Sequence, residues 1–203
     1  MKKIVYIFSM FFLCTLISCS STTADNNPGN SAESKDYAIG NILSRKSVRK
    51  YSDKEIEQEK IDIILKCAMA APSAMNKQPW EILVINDKEK LEKIAEILPN
   101  ASYSKNSQVT IIVCGDKEAS EKFWEQDCSA VSENILLAAE SLGLGAVWCA
   151  VYPFDEKVEA VKNLFELPEN IVPLNVIPMG YPETNEDAKE KYDSKKIHIN
   201  GWL

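Results

Sequence analysis

Val109-Thr110-Ile111-Ile112-Val113-Cys114 is the stretch from which the fold is read. A short, uncharged, apolar run of this length is what a strand buried on both faces looks like. Upstream, Leu91, Ile94, Ala95 and Leu98 recur at i, i+3, i+4 and i+7, which predicts a helix, and Trp80 to Ile85 reads as another strand. Before these, a helical stretch near Asp36 to Ser44 precedes Ser52-x-x-Glu55, a capping box that predicts the start of a long helix with Ile61, Ile64, Leu65 and Ala68 on its apolar face. Pro72 ends that helix. Downstream, from Asp127 to Leu142, Ala130, Val131, Asn134, Ile135, Ala138 and Leu142 share one stripe, while Leu136, Leu137 and Ala139 spread round the cylinder. Both sides of this helix should therefore meet protein, as in a central helix or one at a subunit interface. After Gly143-Leu144-Gly145, the sequence predicts a strand over Ala146 to Val151, a helix over Asp155 to Leu167 and a last strand over Leu174 to Met179. Helices between strands predict a mixed sheet covered on its faces, hence α+β or α/β. The tail from Glu183 to Leu203 has no core pattern until Ile197-His198-Ile199 and Trp202, and is expected to pack on another subunit.

Composition narrows the function classes. Of 203 residues the first 18 read as removable, and the remaining 185 suffice for one domain but hardly two. Two of the 23 basic side chains lie in that leader, leaving 21 against 30 acidic ones, a balance that repels phosphate backbones and argues against nucleic acid as a partner. The one G-x-G, Gly143-Leu144-Gly145, has Trp148 where a dinucleotide fingerprint needs glycine or alanine, so a Rossmann site is not expected. No Gly-Lys-Ser/Thr triplet occurs, and the single histidine, His198, excludes H-E-x-x-H and any zinc site that needs two imidazoles; no metal is expected. His198 reads as structural.

Lys2 and Lys3 precede an uncharged, mostly apolar run from Ile4 to Ile17. As a helix it would reach about 21 Å at 1.5 Å per residue, short of the ~30 Å hydrocarbon core, which favours a signal peptide over an anchor. Leu16-Ile17-Ser18-Cys19 resembles a bacterial lipobox, in which the cysteine is acylated and becomes the mature N-terminus; an ordinary secretory signal is the alternative. Ser20 to Ser34 has no residue able to pack a core and reads as a tether spanning roughly 20 Å. The expected organisation is a lipoprotein signal at 1–18, a flexible tether at 19–34 and one folded domain at 35–203. The expected location is the cell envelope, outside the cytoplasmic membrane, held by lipid on Cys19, and the outer membrane in a Gram-negative host. Once Cys14 leaves and Cys19 is acylated, Cys67, Cys114, Cys128 and Cys149 remain, at spacings that match no metal motif, and are expected to be buried unpaired thiols.

The chain has only two arginines, Arg45 and Arg49, both in one seven-residue stretch. Arginine presents a planar fork that pairs bidentately with phosphate or a planar acceptor edge, whereas lysine is a flexible point charge. With Lys46 and Ser47 between them, the segment is either an anion cradle or a pair of surface charges ahead of a helix. Pro72-Ser73-Ala74-Met75-Asn76-Lys77-Gln78-Pro79-Trp80 adds two amides and a hydroxyl between stiffening prolines, which suits either the edge of a heteroaromatic ring or a plain helix-to-strand connection.

Taken together, Ser44-Arg45-Lys46-Ser47-Val48-Arg49-Lys50-Tyr51, Ala71 to Trp80, Asn134-Ile135-Leu136-Leu137-Ala138-Ala139 with Leu142-Gly143-Leu144-Gly145, and Pro178-Met179-Gly180-Tyr181-Pro182 resemble, in order, the motifs of the nitroreductase family of FMN flavoproteins. The resemblance runs from about Asp36 to Trp202. It implies an α+β fold, an intertwined homodimer and two FMN molecules at the dimer interface. Carried over by position, Arg45, Lys46 and Ser47 correspond to phosphate and ribityl ligands and Arg49 to the cation facing flavin N1 and O2. Ser73 and Asn76 correspond to ring and ribityl contacts, with Ser73 from the other subunit. Trp148, Cys149 and Ala150 correspond to the segment passing flavin N5, and Lys191 to a C-terminal phosphate-binding base. Lys46 stands where the family commonly has arginine, so charge is kept but bidentate geometry is not.

The activity so implied is FMN-dependent oxidoreduction by ping-pong exchange, with donor and acceptor taking turns over one flavin face and no side-chain nucleophile or general base required. Nitroaromatics, quinones and free flavins are the implied acceptors. The family's usual donor, NADH or NADPH, conflicts with a location outside the cytoplasmic membrane. The leader therefore calls either for another donor, such as a membrane quinol or a redox protein, or for an envelope lipoprotein that binds a flavin or small aromatic without turnover.

Overall fold

The computed structural model describes residues 32–184 and 186–202, so the stretch expected to be a signal, Cys19 and most of the stretch expected to be a tether lie outside the described residues. Helix α1 (Ala32–Ser44) begins inside the stretch read as tether, and is followed by α2 (Gln58–Met69), β1 (Trp80–Ile85), α3 (Lys88–Ile97) and β2 (Val109–Asp116). Then come α4 (Trp124–Ser141), β3 (Gly145–Ala146), β4 (Cys149–Ala150), α5 (Asp155–Phe165) and β5 (Ile171–Gly180). The strand order is β1-β2-β5-β3, with β4 also on β5. Every pairing between these strands is antiparallel, and the parallel component is one isolated bridge from Ser47 to Ala146. The architecture is α+β.

All ten residues of β5 and seven of the eight in β2 are buried, as the uncharged run at Val109 predicts for a strand covered on both faces. Helix α4 lies on one face with α2 packed outside it, while α3 and α5 pack together against the other. Trp124, Asp127, Cys128, Val131, Ser132, Ile135, Leu136, Ala138 and Ala139 of α4 are all buried, a wide sector that fits a central helix. Cys114, Cys128 and Cys149 are buried free thiols and Cys67 is half-buried. Burial pushes the Cys114 and Cys128 thiols up to about 12, so both behave as small apolar groups.

Three local expectations are corrected, each by a backbone that is already engaged. The Ser52-x-x-Glu55 capping box does not form. Tyr51 bridges Pro182, Ser52 N–H donates to the Tyr181 carbonyl at 2.9 Å and Glu183 N–H to that of Lys50 at 3.2 Å, which holds the chain extended. The helix starts instead at Gln58, after a Glu57 with no side-chain cap; the Tyr181 hydroxyl donates to the Glu57 carboxylate and, helped by Lys54, holds its pKa down at about 2. The expected strand from Ala146 to Val151 is two short pieces in one continuous register, Ala146 opposite Met179 and Cys149 opposite Val176. That register sets Val147 against Pro178; Val147 N–H still reaches the Pro178 carbonyl at 3.3 Å, but Pro178 has no N–H to return, and the ladder is interrupted there. Strand β5 starts at Ile171 rather than Leu174, because a register shift opposite Val113 and Cys114 lets Pro173 sit in an interior strand.

The tail beyond Thr184 stays outside the core. Ile197, Ile199 and Trp202 are exposed, and His198 stacks on Trp202 with ring centres 4.0 Å apart.

Candidate functional site

The segment Arg45 to Tyr51 leaves α1 and lies across the end of the sheet. Val48 N–H donates to the Ala146 carbonyl at 3.0 Å, next to the Ser47–Ala146 bridge, and the buried Tyr51 hydroxyl shares its one proton between the carbonyls of Val48 (2.7 Å) and Pro178 (3.0 Å). Burial raises the Tyr51 pKa far above its ordinary range, so the phenol stays a neutral donor. Two glycines make this approach feasible. Gly145 and Gly180 face each other across β3 and β5; a Cβ on Gly145 would lie 2.5 Å from Val48 Cβ, and one on Gly180 would lie 2.8 Å from Tyr51 Cβ. Both distances are shorter than real carbon atoms tolerate, so only glycine lets the segment seat.

The segment's cations divide into two kinds. Arg45 Nε lies 3.2 Å from Glu133 Oε1, and Lys46 Nζ lies 3.4 Å from Glu140 Oε1, both on α4. Arg49 carries no carboxylate partner among the described residues; its Nη1 donates weakly to the Ser47 carbonyl at 3.4 Å and its guanidinium stands 5.8 Å from the Tyr103 ring. Its charge reaches Cys149, whose thiol burial raises to about 11 while Arg49 and Lys157 pull the other way. Ser47, Trp148, Cys149 and Ala150 thus lie along the β3–β4 edge of the sheet, with Arg49 near enough to act on Cys149 and with Arg45 and Lys46 held beside them by ion pairs to α4. Trp148 and Ala150 are half-buried, and the Ala150 carbonyl accepts from Asn100 at 3.0 Å.

Ser73 and Asn76 sit elsewhere, in the turn between α2 and β1, which rests on the first turns of α4 through Ala74 N–H and Asp127 Oδ1 at 3.0 Å. Gln78 N–H donates to Ser73 Oγ, and Gln78 Nε2 to Asn76 Oδ1, which leaves the Ser73 O–H and the Asn76 amide N–H groups without partners among the described residues. Met75, Asn76 and Gln78 all have positive φ, three of the five such non-glycine residues among those described. Along α4, Asp127 and Asn134 face α2 and this turn, whereas Glu133 and Glu140 face Arg45 and Lys46. The two halves of the expected site therefore hang on different faces of one helix. Lys191 is exposed in the tail.

Arg49 and Lys50 line both a cleft of about 140 Å³, together with Lys46, Ser47, Val48, Thr184 and Glu186, and a broader groove of about 820 Å³ that reaches Lys88 and Lys105. Neither takes in Ser73 or Asn76, and the cleft is smaller than the ~300 Å³ at which ordinary ligand sites begin. The donors nevertheless fit a phosphorylated heteroaromatic. The segment offers guanidinium and ammonium groups with a hydroxyl, the turn offers hydroxyl and amide N–H groups unpartnered among the described residues, and glycines clear the backbone between segment and sheet, but within one chain the two sets line no common cavity.

A family model for the nitroreductase family matches residues 42–102 and 104–181, spanning every element from the end of α1 to β5. The chain belongs to the nitroreductase family. A Methanothermobacter thermautotrophicus protein described as an NADH dehydrogenase/NAD(P)H nitroreductase is 48% identical to this nitroreductase-family chain over 163 residues, covering 79% of the chain and 85% of that relative. A crystal structure from Bacteroides thetaiotaomicron with the same description shares 52% identity at a TM-score of 0.80, covering 82% of the chain and 98% of its own. A nitroreductase from Desulfovibrio desulfuricans solved in complex with FMN aligns at a TM-score of 0.71 and 27% identity, covering 82% and 98%.

Sequence reasoning singled out the cations but not what holds them. Glu133, Glu140 and Asp127 look like an ordinary solvated helix face until the helix is seen to be central. Gly145 and Gly180 were visible as motif positions; the mutual clearance they provide was not.

Proposed function

We propose that this nitroreductase-family chain is an FMN-dependent oxidoreductase that passes electrons from a donor to electron-poor acceptors such as nitroaromatics or quinones, and that it works as a homodimer. The observation that carries the reading is Arg49, without a carboxylate partner among the described residues and held beside Cys149 by a backbone that two glycines allow to seat on the sheet. Bound FMN supplies reversible uptake and release of hydride. Arg49 provides a fixed positive charge for the N1 and O2 edge, where reduction leaves negative charge, and needs no reorganisation to do so. Arg45, Lys46 and Ser47 receive the phosphate and ribityl chain. The exposed Glu133 releases Arg45 at small cost, since such surface pairs are worth ~0–1 kcal/mol. Trp148, Cys149 and Ala150 wall the reactive face, and the high thiol pKa keeps Cys149 from acting as a nucleophile.

A dimer is supported by the separation of the two donor sets and by apolar side chains left in water. Tyr37, Ile39, Ile42 and Leu43 on α1 and Ile197, Ile199 and Trp202 in the tail are all exposed in the single chain. A partner would cover them and bring its Ser73 and Asn76 to the Arg45–Arg49 segment, and Lys191 with the tail. Acylation of Cys19 and a place in the envelope belong to the same proposal, and they favour a second reading in which a lipid-anchored protein holds flavin or a small aromatic without turnover.

Anaerobic titration separates the readings. The yellow protein is expected to bleach with NADH, NADPH or a reduced quinol and to recover with a nitroaromatic or quinone. A protein that stays colourless after FMN is added overturns the cofactor assignment; a yellow protein that no donor bleaches leaves the binding lipoprotein. Cys19→Ser should abolish acyl mass and membrane association, and membrane association unchanged by that substitution would overturn the anchor.

A further inference from the structure

The turn that carries Ser73 and Asn76 is held in an unfavourable conformation, and the group holding it is itself unusual. Met75, Asn76 and Gln78 lie in the left-handed region, where side chains with a Cβ are strained. Such strain persists only where the surroundings over-determine the backbone. Pro79, at the end of the turn, is fixed by its carbonyl accepting from Asp116 N–H at 2.6 Å. At the beginning, the contact from outside the turn is Asp127 Oδ1, which accepts from Ala74 N–H.

Asp127 is only 6% exposed, and its second oxygen, Oδ2, is buried without a hydrogen-bond partner among the described residues. A half-satisfied buried carboxyl group is costly, and its place near the N-terminal end of α4, where the helix dipole favours negative charge, offsets part of that. Orphaned buried groups and backbone strain both concentrate at functional sites, and here they meet in one contact.

Resting on the FMN reading above, we infer that Asp127 is a positioning residue for the cofactor: through Ala74 N–H it sets the turn so that the Ser73 hydroxyl and the Asn76 amide are presented outward as ready-made donors to the flavin. Gln78 occupies the acceptor atoms of both side chains and leaves their N–H and O–H groups without partners among the described residues, so the turn is oriented to donate. Asp127 itself touches no part of the ligand.

The test uses the full-length protein stripped of flavin and titrated with FMN, following fluorescence quenching and the visible circular dichroism of the bound chromophore. Asp127→Ala should weaken FMN about tenfold, the scale of one lost anchoring hydrogen bond, and alter the dichroism. Asp127→Asn, which keeps an acceptor for Ala74, should stay within about twofold of the parent. In an Asn76→Ala background the same Asp127→Ala change should lose most of its effect, because residues acting through one another do not add. Parent-like affinity and dichroism in Asp127→Ala, or a full tenfold loss repeated in the Asn76→Ala background, overturns the proposal. If Asp127→Ala does not fold, Asp127→Ser, whose hydroxyl is too short to reach Ala74, takes its place with the same two outcomes. Arg49→Ala distinguishes the levels. If Arg49→Ala and Asn76→Ala weaken FMN while Asp127→Ala does not, only the positioning role fails; if the parent takes up no FMN, the cofactor reading fails and this inference with it.

Discussion

The Arg45–Tyr51 segment and the Ser73–Pro79 turn each supply half of the site, and they are held by opposite means. The segment is relaxed and over-fastened: a bridge at Ser47, a main-chain bond at Val48, a Tyr51 hydroxyl proton shared between two carbonyls, and glycines cleared beneath it. The turn is strained and fastened at few points, chiefly Asp127 and Pro79. A charged phosphate and a charge-bearing ring edge need cations at fixed positions, which the sheet end provides. The ring's hydrogen-bonding edge needs donors that point away from their own backbone, and a left-handed turn does that in few residues.

The strongest blow to this contrast falls on the segment. Gly145→Val places an isopropyl group where even a Cβ would lie 2.5 Å from Val48. Overpacking of this kind costs ~1–3 kcal/mol or more, and the segment can relieve it only by lifting from the sheet. Chemical denaturation should show the lost stability, and an FMN titration should show no saturable binding at concentrations that saturate the parent. Parent-like FMN affinity would mean that the seating of Arg45–Arg49 is not what makes the site.

Arg49→Ala tests the cation without disturbing the seat. Arg49 is exposed and makes one long hydrogen bond among the described residues, so folding stability should barely change. Loss of one charge-assisted contact to a partly buried anion costs about 1.5–3 kcal/mol, and it should fall more heavily on reduced than on oxidised flavin. A redox titration against a reference dye should therefore give a lower midpoint potential, with Arg49→Lys between the two. An unchanged potential would show that Arg49 does not face the reducible edge.

Much of the frame was legible because periodicity reports burial. The uncharged run at Val109, the i, i+3, i+4, i+7 pattern at Leu91 and the broad apolar sector of α4 each became the expected element. Illegible positions were those where a distant backbone had a prior claim. Ser52 looks like a cap until Tyr181 takes its N–H, and Ala146 to Val151 looks like one strand until Pro178 falls opposite Val147. The site followed the same division. Two arginines among many lysines announce the segment from composition alone, whereas the turn is visible as turn formers between prolines but its left-handed run at Met75, Asn76 and Gln78 is not, because glycine is the residue that ordinarily marks such geometry. Asp127 was hidden for a related reason: an acidic residue in the first turns of a helix is ordinary, and only its burial makes it unusual.

The smallest expected effect sharpens the contrast most. Met75 is 75% exposed and left-handed, with φ of 53°, so its side chain contributes little packing while its backbone is strained. Met75→Gly relieves a left-handed penalty of about 1–2 kcal/mol, but glycine gives back roughly 0.5–1 kcal/mol through the greater freedom of the unfolded chain. The net expectation is a protein equal to the parent or more stable by up to about 1.5 kcal/mol in urea denaturation. If the anchors at Asp127 and Pro79, rather than the strain itself, define the turn, FMN affinity should stay within about twofold, since the donors on Ser73 and Asn76 keep their partners in Gln78. A larger loss of affinity with unchanged or raised stability would mean that the methionine's stiffness is itself part of the device. The turn would then resemble the segment after all, as a region whose every residue is committed to holding the ligand's place.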